Sequence, residues 1–267
     1  MLKVSDIVAA VADIAPPGLA APWDNPGLLV GEPNAPCGRV MVALDITLPV
    51  LEEAAERGCR LVISHHPFIF RGQKNVVAGR YESDLIYWLV RHDMAAMAAH
   101  TNWDNAEGGI NYALCGALGL QNVWPLLSPE QGAEILLLAG DLAESLSGDE
   151  LAGLVRERLG LPVVRAAGLV RGRQYRRIAV CGGAGMDFWP QAAAAGCDAL
   201  VSADGKHHEG LQAAHSGFAV LDGTHYATEV IGIRRLGERL AAALPGLEVC
   251  YTGVGDSWQF YGADGRM

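Results

Sequence analysis

The sequence predicts an α/β protein made of two similar α/β lobes, each with a mostly parallel sheet flanked by helices. Apolar segments of strand length alternate with amphipathic segments of helical length, which is typical of β-α-β units. The second observation is an internal repeat. Residues 39–42, 58–59 and 63–64 are matched by 177–180, 196–197 and 201–202, an offset of 138 in each case (177 minus 39, 196 minus 58, 201 minus 63). One offset that holds across two strands and the helix between them indicates a duplicated α/β unit.

The first lobe is assigned to residues 1–128. Ser5 is expected to cap a first helix that stops before Pro16, and the Trp-Asp-Asn-Pro-Gly segment 23–27 predicts a turn-rich surface loop. The elements predicted after this loop are strand 39–44, helix 48–57, strand 60–64, helix 81–92, strand 94–99 and helix 109–118.

The second lobe is assigned to residues 129–267, and its C-terminal part could pack back on the first lobe. Segment 121–132 is interpreted as the connection, because Pro, Ser and Gly interrupt its hydrophobic pattern. The elements predicted here are strands 134–138, 162–166, 177–181, 199–202, 218–221 and 247–251, and helices 148–159, 187–195, 206–215 and 227–240.

Composition narrows the class of protein. With 51% apolar residues in 267, the chain can build a sizeable core, so a disordered protein is excluded. Acidic residues outnumber basic ones 30 to 20, which disfavours an outer surface that wraps nucleic acid. We see neither a signal peptide nor a membrane-spanning segment, so we expect no membrane partner and a cytoplasmic location. The six cysteines form no Cys-x-x-Cys pair and are expected to be buried, reduced thiols.

Three clusters of histidine and acid carry the functional prediction. His65 and His66 follow an apolar strand, His100 and Asp104 follow another, and a third cluster of histidine and glutamate, at 225 and 229, follows a third strand. Neutral imidazole and ionised carboxylate suit zinc, iron or manganese, and strand-end clusters in α/β proteins usually converge on one crevice. The sequence therefore predicts a metal site, with two metals as the preferred interpretation.

Each cluster alone also fits a simpler interpretation. The histidine pair could be two ordinary residues at an exposed strand end, where adjacent side chains diverge unless Pro67 helps the backbone to turn. His225 and Glu229, spaced i, i+4, could form a hydrogen bond in a helix that begins at about Thr224. Asp104 is expected on a loop and could cap a helix. The metal prediction depends on all three clusters converging.

A weaker prediction concerns a glycine-rich turn. Gly182, Gly183 and Gly185 follow a predicted strand and precede a helix, so their backbone amides could bind a phosphate, although such turns are more often only turns. Asp45 and Asp222 also follow predicted strands. Each could orient a side chain that contacts a bound ligand, or could cap the next helix.

Segments 64–67, 100–104 and 222–229 resemble, in order and spacing, the motifs of the NIF-three-like family, whose members are also called GTP cyclohydrolase 1 type 2 homologues. The loop 23–31 and the glycine turn look like that family's as well. The resemblance spans nearly the whole chain. It implies a two-lobed α/β protein that assembles as a toroidal homohexamer with a dinuclear metal centre in each subunit.

The resemblance also implies five metal ligands, namely His65, His66, Asp104, His225 and Glu229. His66 and Asp104 would bind one ion, His65 and His225 the other, and Glu229 would bridge both.

His100 would stand beside these ligands and transfer protons. Thr224 is a departure, since the family commonly has another small residue there, but the ligands stay intact. With two zinc, iron or manganese ions, such a centre would hydrolyse a nucleotide or pterin-like molecule.

Two alternatives stay open. One is a non-catalytic metal-binding ring that stores metal or clamps single-stranded nucleic acid, for which Arg71, Lys74 and Arg80 form the local basic cluster. The other is a mononuclear enzyme in which one histidine pair is structural.

Overall fold

The computed structural model describes residues 1–262 and 265–266 and divides into two compact units. The first unit comprises Met1–Gly109 and Ile233–Gly255, and the second comprises Ile110–Gly232 and Asp256–Met267. The described strands are β1 Gly27–Val30, β2 Arg39–Ala43, β3 Leu61–Ser64, β4 Ala95–Ala98, β5 Gln121–Leu127, β6 Leu137–Ser147, β7 Arg165–Ala167, β8 Gln174–Val180, β9 Ala199–Ser202, β10 Ala219–Asp222, β11 Glu248–Tyr251, β12 Tyr261–Gly262 and β13 Gly265–Arg266. The described α-helices are α1 Val4–Ile14, α2 Leu48–Glu56, α3 Tyr81–Arg91, α4 Thr101–Asn105, α5 Ile110–Ala117, α6 Gly148–Arg158, α7 Trp189–Ala194, α8 His207–His215 and α9 His225–Ala243.

The first unit is built on a five-stranded sheet in the order β1-β4-β3-β2-β11. All neighbours are parallel except β1, which runs antiparallel to β4 at the edge. β3 and β4 are buried along their whole length, which explains why all their residues are apolar except Ser64 at the end of β3. Met41, Val62 and Ala96 form one core face of the sheet and pack with Leu51 of α2 and Leu89 of α3.

The second unit contains a six-stranded mixed sheet in the order β5-β6-β8-β9-β10-β7. Its centre, β8-β9-β10, is parallel, whereas β5, β6 and β7 pair antiparallel. Successive side chains point to opposite faces, so Leu138 and Val201 pack on one face while Leu137 and Leu200 pack on the other. The predicted α/β architecture, with two sheets flanked by helices, is confirmed.

The predicted duplication is visible in the strand pairing. Four strands of the first sheet, β1-β4-β3-β2, match β7-β10-β9-β8 in order and in direction. Even the register agrees, because Val40 pairs with Leu61 and Ile178 with Ala199, each 138 positions on. The same offset joins Gly58 (φ +69°) to Gly196 (φ +75°) in the turn before the second strand of each repeat.

The division between the units differs from the predicted one. Residues 121–127 of the presumed connection form β5, an edge strand that tolerates Pro125 where the register shifts. Its partner β6 starts at Leu137 and runs for 11 residues, far beyond the predicted strand 134–138. The units therefore separate after Gly109 and Gly232, and Ile233–Gly255 belongs to the first unit, as the sequence had allowed.

Smaller predictions have mixed outcomes. The prediction that Ser5 caps α1 is wrong: the helix begins at Val4, and Asp6 Oδ2 accepts the Lys3 N–H at 2.8 Å. The prediction for the cysteines is confirmed, since all six are buried thiols, and burial raises the pKa of Cys115 to about 12. Among the described residues, no helix combines the length and the apolar sequence that a bilayer crossing requires.

Candidate metal centre

Parallel strands bring three histidines of the first unit together. β3 and β4 are neighbours that end at the same edge, so the residues after them, His65, His66 and His100, lie side by side. One ring nitrogen from each histidine lies within 4.8 Å of the other two. The ring centroids are 4.9 Å apart for His65 and His66, and 5.0 and 5.6 Å from these two to His100. Such spacing fits ligands of a common ion or of neighbouring ions.

A tight turn after β3 keeps the two adjacent imidazoles from diverging. The N–H groups of His65 and His66 both donate to the Leu44 carbonyl, at 3.1 and 3.0 Å. The Ser64 hydroxyl donates to the His66 carbonyl at 2.7 Å and fixes the turn. The strand has therefore ended at this point, which the sequence required if both histidines were to serve one site.

Hydrogen bonds at Nδ1 fix which nitrogen of each imidazole can bind a metal. His65 Nδ1 lies 2.9 Å from the Ala99 carbonyl, and His66 Nδ1 lies 2.8 Å from Asp45 Oδ1. Carbonyl and carboxylate oxygens only accept, so Nδ1 carries the proton and Nε2 carries the lone pair. This carboxylate or carbonyl support is typical of metal-binding histidines, because it orients the ring and raises its basicity.

Asp104 lies beside His65 in the first unit. The His65 Nε2 atom is 3.6 Å from Asp104 Oδ1, and both side chains are buried. Asp104 stands on the short helix α4 rather than on the predicted loop, with its N–H donating to the His100 carbonyl. The structure thus places Asp104 against His65, whereas the resemblance had paired it with His66.

Sequence reasoning missed Asp24, which anchors His100. His100 Nδ1 lies 2.7 Å from Asp24 Oδ1, and the Thr101 N–H and hydroxyl both donate to the other oxygen, the N–H at 3.0 Å. Burial raises the pKa of Asp24, but the hydrogen bonds from His100 and Thr101 outweigh it and lower the pKa to about 2. His100 therefore also presents Nε2, in a fixed orientation.

Asp24→Asn is expected to destabilise the protein at pH 7 by about 1.5–3 kcal/mol, since it removes charged hydrogen bonds in a buried position. A lowered pKa means that the carboxylate stabilises the fold above its ordinary value of 3.8 and loses this effect as pH falls toward about 2. The difference between wild type and variant should therefore shrink between pH 4 and 2. Urea unfolding at several pH values measures it.

The control for this prediction is Asp13→Asn, an exposed carboxylate on α1. Its stability should stay within about 0.5 kcal/mol of wild type at every pH. A pH-independent difference between Asp24→Asn and wild type would contradict the role assigned to the Asp24 charge.

In the second unit, α9 presents a histidine and a glutamate on one face. The helix begins at His225, and Thr224 Oγ1 caps it by accepting the Ala227 N–H at 3.3 Å, as the sequence predicted. His225 Nε2 lies 3.2 Å from Glu229 Oε2, and the glutamate side chain is only 4% exposed. Thr224 itself has a φ of +61°, a strained conformation for a β-branched residue.

Asp204 is the second residue that sequence reasoning missed. Its Oδ2 atom lies 2.8 Å from His225 Nδ1, so His225 also offers Nε2. The internal repeat could have found it, because Asp204 stands 138 positions after His66. Asp45, which the sequence proposed as an orienting residue, does support His66, whereas Asp222 accepts backbone N–H groups of Gly205 and Thr224.

The glycine turn does not offer the phosphate site that the sequence suggested. The Gly182 N–H donates to Asn111 Oδ1, the Gly183 N–H to Thr228 Oγ1 and the Gly185 N–H to Ser202 Oγ, at 2.7, 3.0 and 3.0 Å. These amides hold the turn together and are not directed at a ligand. The prediction is corrected on this ground.

Gly183 has a different role. Its φ is +64°, and a Cβ built on it would overlap the Glu229 carboxylate and lie 3.2 Å from His225 Nε2. The absence of a side chain at this position keeps the space beside both groups open. This space is small enough for a single methyl group to fill it, which is the size that a site for a small ion requires.

The family of the chain follows from its sequence profile. The profile of the Duf34/NIF3 (NGG1p interacting factor 3) family matches residues 2–255. The chain belongs to this family. A relative in Streptomyces coelicolor named GTP cyclohydrolase 1 type 2 homolog is 36% identical over 235 residues, which cover 86% of this chain and 82% of the relative.

Two solved structures share the fold of this chain. A Staphylococcus aureus protein superposes with a TM-score of 0.88 at 27% identity, over 97% of this chain and 99% of that one. A Bacillus cereus protein related to NIF3 reaches 0.89 at 22% identity over the same shares, which shows a common fold.

The side chains present in this NIF3-family chain fit a metal ion. His65, His66 and His100 in the first unit and His225 in the second each have Nδ1 held by an oxygen acceptor, and carboxylates lie next to His65 and His225. Imidazole and carboxylate without a thiolate suit zinc, iron or manganese. These groups could hold a metal ion.

Proposed function

We propose that the chain binds two divalent metal ions and is a metal-dependent hydrolase of a nucleotide or pterin-like small molecule. The observation that carries the proposal is the common anchoring of four imidazoles through Nδ1, which leaves each Nε2 as a metal or proton acceptor. The name GTP cyclohydrolase 1 type 2 homolog, borne by relatives, supports the substrate class.

Five residues are proposed as metal ligands. The contact between His65 and Asp104 supports their sharing one ion. His66 and His225 are then assigned to the other ion, and Glu229 to both, which follows the family resemblance with the two histidines exchanged. Each of the three histidines has a defined Nε2 lone pair, so the assignment uses one atom per ring.

Two divalent ions would supply a Lewis acid that polarises the substrate and lowers the pKa of a water molecule. The protein supplies orientation and proton transfer. His100 is proposed for the proton transfer, since one of its ring nitrogens lies within 4.8 Å of a ring nitrogen of His65 and of His66, and Asp24 fixes its Nδ1. Asp24, Asp45 and Asp204 hold their imidazoles in the tautomer that the site needs.

The activity test uses metal-free protein reconstituted with zinc, manganese or iron(II) and a panel of nucleotides, nucleosides and pterins, with product formation followed by chromatography. We expect turnover of at least one substrate. His100→Gln is expected to lower the rate by about 10²–10⁴-fold without loss of bound metal. His92→Gln is the control, because His92 is an exposed histidine that stacks on Trp88. Failure of every reconstituted form to turn over any compound would refute the hydrolase proposal.

The second candidate is a non-catalytic ring. Arg71, Lys74 and Arg80 are exposed in the loop before α3, and they could line the hole of a homohexamer and bind single-stranded nucleic acid. The hexamer is itself a proposal, tested by light scattering of the purified protein. Oligonucleotide binding that weakens steeply with salt, in the absence of hydrolysis, would favour this candidate.

One metal per chain would favour the mononuclear enzyme. The cytoplasmic location stays a prediction.

A further inference from the structure

A cavity of about 560 Å³ lies within the second unit and has the metal-ligand candidate His225 in its wall. Its other walls come from strand ends of the mixed sheet and from the C-terminal segment, which contributes Trp258 and Phe260. This volume is typical of sites for small molecules of a few fused rings. A ligand in the cavity would therefore lie against a residue of the proposed metal centre.

The aromatic part of the wall suits a flat ring. Trp258 is 83% exposed, which makes it one of the most exposed large apolar side chains among the described residues. Phe260 and Tyr226 line the same cavity and are half-buried. An exposed indole at a cavity wall offers a large flat surface on which a heteroaromatic ring can stack.

The charged part of the wall disfavours phosphate. Arg165 is the guanidinium of the cavity, and its Nη2 donates to the Gly205 carbonyl at 2.8 Å while its Nη1 lies 3.8 Å from Asp222 Oδ2. The guanidinium is thus tied to the protein by one hydrogen bond and lies near one carboxylate, with its side chain 72% exposed. Asp204 and Asp256 are further carboxylates in the wall, so three acids face one base. The local potential is negative, which repels a polyphosphate and attracts ring N–H and amino groups.

We propose that this cavity binds the ring of an amino-substituted heteroaromatic compound without phosphate groups, such as a nucleoside, a free base or a pterin. The ring stacks on Trp258, its N–H groups donate to the carboxylates, and its other end faces His225. The inference rests on the proposed function for the reaction, but the binding itself needs no metal. It narrows the substrate class by excluding nucleoside triphosphates.

The test is a binding titration of metal-free protein with guanosine, adenosine, cytidine and pterin, and with GTP, ATP and CTP. Tryptophan fluorescence and calorimetry report binding. We expect at least one uncharged compound to quench the fluorescence, and its triphosphate counterpart, where there is one, to bind about tenfold more weakly. Trp258→Leu should abolish this quenching, and Trp258→Phe should keep calorimetric affinity within a few-fold, because both aromatic rings stack.

The matched control is Trp88→Phe, which removes a tryptophan that lies in the first unit and stacks on His92. It should leave both affinity and ligand quenching unchanged. Equal or tighter binding of the triphosphates, no binding of any uncharged compound, or wild-type affinity in Trp258→Leu would each overturn the inference. If the protein bound an uncharged compound but did not turn it over after metal reconstitution, the binding inference would hold and the hydrolase proposal would fail. The two failures are therefore distinguishable.

Discussion

Glu229→Gln is expected to reduce the bound metal from about two equivalents per chain to less than one, and to remove any hydrolysis. The Glu229 side chain is buried and lies 3.2 Å from His225 Nε2. An amide of the same size is uncharged and a far weaker ligand, so each of the two proposed ions would lose a negatively charged ligand in a poorly solvated site. Elemental analysis of protein purified in the presence of excess metal measures the loss.

Glu209→Gln is the matched control. Glu209 is also buried, but it caps the start of α8 by accepting the Lys206 N–H at 2.8 Å and lies in none of the histidine groups. This variant should lose some stability and keep its metal. If Glu229→Gln kept two equivalents, Glu229 would not be the shared ligand.

Gly183→Ala is expected to cause a comparable loss of metal. The added methyl group would occupy the space beside the Glu229 carboxylate and His225 Nε2, and the backbone around it cannot move without breaking the hydrogen bond from the Gly183 N–H to Thr228. We therefore expect displacement of the carboxylate, a metal content well below wild type and a stability loss of about 2–4 kcal/mol. Metal analysis and urea unfolding measure both effects.

Gly196→Ala separates this steric effect from backbone strain. Gly196 has a φ of +75°, close to that of Gly183, but in the described part of the chain no heavy atom beyond its sequence neighbours lies within 4 Å of a Cβ built there. It should lose about 1 kcal/mol from the left-handed conformation alone and bind metal normally. Equal metal content in the two variants would show that the space beside Glu229 is not needed.

Much of the fold could be predicted because the responsible signals are local. The buried strands β3, β4 and β9 are apolar apart from a final serine in β3 and in β9, and helices such as α2 carry a cap and a closing glycine in the sequence itself. The strand-end histidines could be located for the same reason, since a strand fixes where its next residues emerge. β5 was missed because an edge strand with a proline and exposed residues has no such pattern.

The residues that orient the imidazoles depend on long-range contacts, and no local pattern marks them. Asp24 contacts His100 across 76 residues of sequence, and it lies in a loop whose composition only indicates turns. The prediction for the glycine turn was wrong because the sequence suggested a site that long-range contacts remove. A local motif suggested free amides, but Asn111 and Thr228, distant in sequence, bind them. Motifs predict what a segment can do, and tertiary contacts decide which of its groups are still available.

The matched register of the two repeats has a consequence for how such a site can evolve. Where the first repeat has His65 and His66, the second has Ala203 and Asp204, and the latter orients an imidazole instead of presenting one. In an assembly of two identical half-length chains, one mutation changes the same position in both copies. Fusion into one polypeptide allows each copy to mutate independently. Covalent linkage of the repeats thus permits equivalent positions to take different roles, a histidine at 66 in one copy and the carboxylate that orients His225 at 204 in the other.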